Sequence, residues 1–84
     1  MQTYKLRGKV SPGMFPNEVV VVVRDHHDHE QALIVRKELV TSSGVDGTID
    51  VQLVDQGEGF SLIRLPGELV TTGRVLSVKD SQLE

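Results

Sequence analysis

Glu18-Val19-Val20-Val21-Val22-Val23-Arg24 is the stretch that decides the fold. An unbroken run of β-branched side chains crowds a helical backbone and suits a pleated strand. Alternate side chains of a strand point to opposite faces, so Val19, Val21 and Val23 make one face and Val20 and Val22 the other. One apolar face can serve the core of a small domain. The second needs cover of its own, from another sheet of the same barrel or from a second subunit.

Working outward, a polar turn from Asp25 to Gln31 leads into Ala32–Val35, a short apolar run placed to be the hairpin partner of the valine strand. Upstream, Tyr4 to Val10 alternates apolar and charged residues until Ser11-Pro12-Gly13 breaks the strand. Met14, Phe15 and Pro16 follow as an apolar loop, expected to fold back over the core because such side chains seldom stand alone in water on a small domain. Downstream, Arg36 to Val40 reads as strand rather than a helical turn, and Thr41-Ser42-Ser43-Gly44 as a break. Asp46-Gly47 is a turn signal, after which Ile49, Val51 and Leu53 face inward and Asp50 and Gln52 outward. The glycines at 57 and 59 return the chain through Phe60 to Leu65 as a hairpin. Leu65-Pro66-Gly67-Glu68 has the form of a type II turn, and Arg74 to Lys79 supplies a last strand.

About five to seven short antiparallel strands with Gly and Pro turns point to an all-β chain, and closure into a barrel is favoured because it removes exposed edges. The expected fold is a small SH3-like barrel, with a small β-sandwich or an OB-like barrel as the alternative. The chain has 84 residues, which sets a single domain over 1–82. Leu83-Glu84 has the form of a vector-derived dipeptide. There is no Cys, no apolar run long enough to cross a membrane, and no apolar segment of signal-peptide type at the start, so a cytoplasmic protein is expected.

The net charge of −3 argues against a protein whose task is to neutralise phosphates. Lys5, Arg7 and Lys9 would line one face of a strand, where cations protect an edge strand from pairing with another molecule. A weak nucleic-acid-binding barrel through these cations is the least supported reading. Tyr4, Phe15 and Phe60 are too few aromatic rings for a base-stacking platform.

All three histidines lie in Asp25-His26-His27-Asp28-His29-Glu30. Imidazole with carboxylate is the donor set of a Zn or Ni site, so His26, His27 and His29 are the candidate metal ligands and the chain is otherwise expected to need no cofactor. In an extended segment His27 and His29 share one side while His26 and Asp28 take the other. The competing reading is a solvated hairpin tip. There is no thiol nucleophile, no Gly-x-Ser-x-Gly elbow, no phosphate-binding loop and no helix to carry His-Glu-x-x-His, which leaves acid–base work only to Asp25, His27 or Glu30. A barrel this small is also expected to lack a pocket that could bury a substrate. A non-enzymatic protein-interaction or self-assembly module is therefore the expected function, with a metal-binding or metal-sensing domain through the Asp25 to Glu30 histidine turn as the alternative. Met14, Phe15, Val20 and Val22 are its candidate partner-binding residues, with a protein partner or a second copy as occupant.

Pro12-Gly13-Met14-Phe15-Pro16-Asn17-Glu18 and the valine strand after it resemble a motif of small SH3-like iron-transport accessory domains, Gly-Met-x-Pro-Gly before a Val-rich strand. The same residues resemble the Gly-Met-Phe start of a strand in barrel domains of efflux-pump adaptor proteins. The remaining elements of neither family can be placed on this chain, so the resemblance assigns no residue a role.

Overall fold

A computed structural model describes residues 3–66, 68–69 and 75–84. The chain forms eight strands among these residues: β1 (Thr3–Pro12), β2 (Glu18–Arg24), β3 (Glu30–Arg36), β4 (Val40–Ser43), β5 (Asp46–Gln56), β6 (Phe60–Arg64), β7 (Glu68–Leu69) and β8 (Val75–Lys79). Two single 3-10 turns, Lys37–Leu39 and Asp80–Gln82, complete the description. All pairings are antiparallel, and the sheet runs β7-β3-β2-β1-β5-β6-β8 with β4 added to β5. It is a small all-β fold, one sheet curled into a half-barrel.

Period-two alternation places the core as the sequence implies, except that Leu53, at the register shift of β5, is only half-buried and lies outside it. Leu6, Val21, Val23, Leu33, Val35, Ile49, Val51, Ile63, Leu65, Leu76 and Val78 are buried on the concave side, with Tyr4, Val10, Val19, Val40 and Leu83 packed against them. The β2–β3 hairpin forms with Val21 opposite Leu33 and Val20 opposite Ile34. The β5–β6 hairpin carries a register shift between Leu53 and Asp55, a bulge that bends the strand where the sheet curls.

Long β1 is what curls the sheet. Its first part, Thr3–Lys9, pairs with β5, and its last part, Lys9–Pro12, pairs with β2. Gly8 sits at the changeover opposite Gly47. A Cβ on Gly8 would lie 2.7 Å from Val21 Cγ1 and 2.9 Å from the Val22 carbonyl oxygen, so only glycine lets β1 cross this close to β2. On the remaining edge of β1, the Glu84 N–H donates to the Lys5 carbonyl at 2.8 Å, and Leu83 bridges Leu6.

Several expectations are corrected. Strand β1 lies between β2 and β5 in the sheet order, but Thr3–Gly8 pairs with β5 alone, so Lys9 is inside the sheet while Lys5 and Arg7 stand beside an edge that Leu83 and Glu84 partly cover. Arg36–Val40 is not continuous strand, since Lys37–Leu39 makes a 3-10 turn held by the Lys37 N–H donating to the Asn17 carbonyl. Thr41–Ser43 belongs to β4, and the turn falls at Gly44-Val45, where Gly44 takes φ +69 and Asp46-Gly47 already starts β5. Gly67, Gly73 and Arg74, which carry the expected type II turn and the start of the last strand, lie outside the described residues.

Candidate functional site

Met14 and Phe15 do not fold back over the core. They are 94% and 61% exposed, at the tip of the loop between β1 and β2. The loop is tight: the Gly13 N–H donates to the Glu18 carbonyl, and the Glu18 N–H donates to the Phe15 carbonyl. A Cβ on Gly13 would lie 2.9 Å from the Glu18 carbonyl oxygen. Backbone closure across so few residues leaves the two apolar side chains no path inward. They instead form the rim of an open cleft of about 500 Å³, floored by Val10 and Val19 and walled by Pro12, Pro16, Glu18 and Lys37. The cleft is an open groove and not an enclosed pocket.

Val20 and Val22, the other candidate binding residues, are half-buried on the convex side of the sheet beside exposed Ile34. They face away from the cleft floor, since strand neighbours alternate. The candidate residues therefore divide into a cleft rim, Met14 with Phe15, and a convex strip, Val20 with Val22.

The histidine segment forms a compact turn rather than an extended ladder. Asp25 Oδ1 accepts from the backbone N–H groups of His27 and His29, both at 2.9 Å, and Asp25 Oδ2 accepts from the Gln31 amide at 3.3 Å. Partial burial pushes the Asp25 carboxyl up, but the hydrogen bonds from His29, Gln31 and His27 outweigh it and hold the group below the ordinary aspartate value. Asp28 takes φ +64, a conformation that aspartate tolerates better than most residues. Its carboxylate receives the Lys79 ammonium at 2.7 Å, and that hydrogen bond and charge lower its pKa.

The turn is not a free hairpin tip. The His26 N–H donates to the Ser77 carbonyl of β8 at 2.8 Å, and the His26 ring stacks on Phe60 of β6 with centroids 5.2 Å apart. Contrary to an extended segment, the rings of His26 and His27 are adjacent, at 3.8 Å, while those of His27 and His29 are 6.1 Å apart. His26 Nδ1 is buried without a hydrogen-bond partner. Among the described residues no three His, Asp or Glu side chains are placed to hold a metal ion together.

The basic face of β1 is matched by acids. Lys5 pairs with Asp50 and Lys9 with Asp46 directly across the β1–β5 ladder, and Arg7 meets Glu84 at 3.0 Å. The sequence shows both signs of charge but not this register, which spans much of the chain.

No family model, curated protein or solved structure matches this chain. No helix among the described residues is long and apolar enough to cross a membrane.

Proposed function

We propose that this chain is a non-enzymatic protein-interaction or self-assembly module. The observation that carries the reading is the pair Met14 and Phe15, held in water by a closed backbone loop at the rim of an apolar-floored cleft. Large apolar side chains held out of a core that needs apolar area stabilise the fold little, and such positions are where a partner gains most from burial. The cleft has Glu18 and Lys37 at its edge, enough to orient a bound segment. We take the barrel type to be SH3-like or OB-like, a reading supported by the small size, the curl and a bent first strand shared by two neighbours.

The test is a Met14→Ser/Phe15→Ser variant compared with the native chain. The reading expects solvent protection of Phe15 in an assembled form, either self-association seen by sedimentation or a purified partner complex, and loss of that assembly in the variant. A chain that stays monomeric, binds no protein and leaves Phe15 equally accessible in cell extract and in buffer would overturn it.

A further inference from the structure

The convex face of the β2–β3 hairpin has a pattern that the core does not use and that touches the cleft only at Glu18. Its outward rows run Glu18 opposite Arg36, Val20 opposite Ile34, Val22 opposite Ala32, and Arg24 opposite Glu30. A four-residue apolar strip is thus closed at each end by one acid and one base. Ile34, its largest side chain, is 44% exposed, and Val20, Val22 and Ala32 are half-buried.

We propose that this face binds a second copy of the same chain, about a two-fold axis that lies in the interface and crosses the strands between the two apolar rows. It rests on the interaction-module reading above but uses a surface separate from Met14 and Phe15, so the Met14→Ser/Phe15→Ser variant is expected to keep this dimer. The axis lays β2 antiparallel on β2 of the copy and β3 on β3. Glu18 then meets Arg24 of the other copy, and Arg36 meets Glu30. Ile34, the bulkiest of the strip, meets Ala32, the smallest, and Val20 meets Val22. Each contact occurs twice, as a closed two-fold interface requires. A like-charge clash appears nowhere in this register, and that is the argument for a copy as occupant: an unrelated partner has no reason to carry the same pattern reversed.

Size sets the strength. Seven residues of strand span about 20 Å and two strands are about 10 Å across, so the footprint is roughly 200 Å² per copy. A stable complex covers about 800 Å² per partner, so this dimer is weak and forms at high chain concentration. Twist between packed sheets, about 30°, displaces the end rows by only a few ångströms, within the reach of Arg24 and Arg36.

Charge reversal gives a test that depends on the axis. Glu18→Arg alone would set Arg24 against a new cation, and Arg24→Glu alone would set Glu18 against a new anion. Each single variant is expected to dimerise about tenfold more weakly than the native chain in sedimentation velocity. Mixed in equal amounts, the two variants complement each other at both end contacts and regain dimer. A two-fold axis along the strands would instead pair position 18 with Arg36 and position 24 with Glu30, and the mixture would gain nothing. Each variant also sets like charges opposite one another within its own hairpin, position 18 against Arg36 and position 24 against Glu30, where Arg24 and Glu30 otherwise pair at 4.0 Å, so a small drop in thermal unfolding is expected in both and is not reversed by mixing. Should either variant misfold, concentration-dependent amide shifts of the native chain, confined to residues 18–24 and 30–36, test the same surface.

A native chain that remains monomeric at millimolar concentration overturns the proposal, as does a mixture that fails to recover dimer. If instead the native chain dimerises and only the Met14→Ser/Phe15→Ser variant loses it, the hairpin surface is wrong and the interaction module stands.

Discussion

Asp25 shows how much one side chain can fix. One carboxylate accepts from two backbone N–H groups and the Gln31 amide, and so holds the turn that brings His26 to β8. Its folded pKa is depressed, so the stability it contributes is present above the ordinary aspartate value of about 3.9 and is lost as pH falls through the lower folded value. Replacing Asp25 with Asn keeps an acceptor oxygen but removes the charge. Urea unfolding at neutral pH should show a loss of about 1 kcal/mol, and the acid side of the stability profile should flatten. Gly8 is the second decisive residue. Gly8→Ala drives a methyl into Val21 and the Val22 carbonyl, and a loss of about 1–3 kcal/mol is expected from thermal unfolding; a variant as stable as the native chain would show that β1 need not approach β2 this closely. The cluster of histidines is plain in the sequence, but its docking is not, because Ser77 and Lys79 are supplied from far along the chain.

Among the elements, the short 3-10 turn Asp80–Gln82 is tied to the rest of the fold by one buried side chain and by backbone contacts. Ser61 of β6 donates its hydroxyl to Asp80 Oδ1 at 2.6 Å, and the Asp80 N–H donates to the Gly59 carbonyl at 3.0 Å. Ser61→Ala removes the first of these contacts. Faster hydrogen exchange at Leu83 and Glu84, with the β2–β3 hairpin unchanged, is the expected result. Strands with one buried face are legible element by element, because alternation such as Ile49 and Val51 depends only on neighbours along the chain. Boundaries set by pairing are not. Thr41–Ser43 reads as a polar break, yet β5 offers it a ladder, and Asp46-Gly47 reads as a turn, yet pairing with β1 and β4 makes it strand. Hydrophobicity alone makes Met14 and Phe15 read equally as core cover or as a partner contact. Which apolar residues a closed loop leaves outside is decided by backbone hydrogen bonds that composition does not show.

At the scale of the whole molecule, the radius of gyration is 11.8 Å, about that of a compact chain of this length. The core is thin, built of aliphatic side chains with Tyr4 only partly buried and no disulfide to help. Total stability near the low end of the usual 5–15 kcal/mol follows. Ile63 is fully buried at the centre of β6, and Ile63→Ala is expected to cost about 2–5 kcal/mol, enough to leave much of the chain unfolded at 37 °C by circular dichroism. The exposed ion pairs across β1 and β5 contribute little, so raising the salt concentration should scarcely move the melting temperature.

The division of β1 between an early partner and a late one also fixes an order of assembly. The β2–β3 and β5–β6 hairpins close over short loops, whereas pairing Leu6 with Ile49 must wait for most of the chain. During synthesis from the N-terminus, Leu6 and Tyr4 therefore stay exposed until β5 emerges. Lys5, Arg7 and Lys9, which end as modest surface pairs, are in that interval unpaired charges spaced along a sticky strand, and their repulsion keeps nascent chains apart until Asp46 and Asp50 arrive to neutralise two of them.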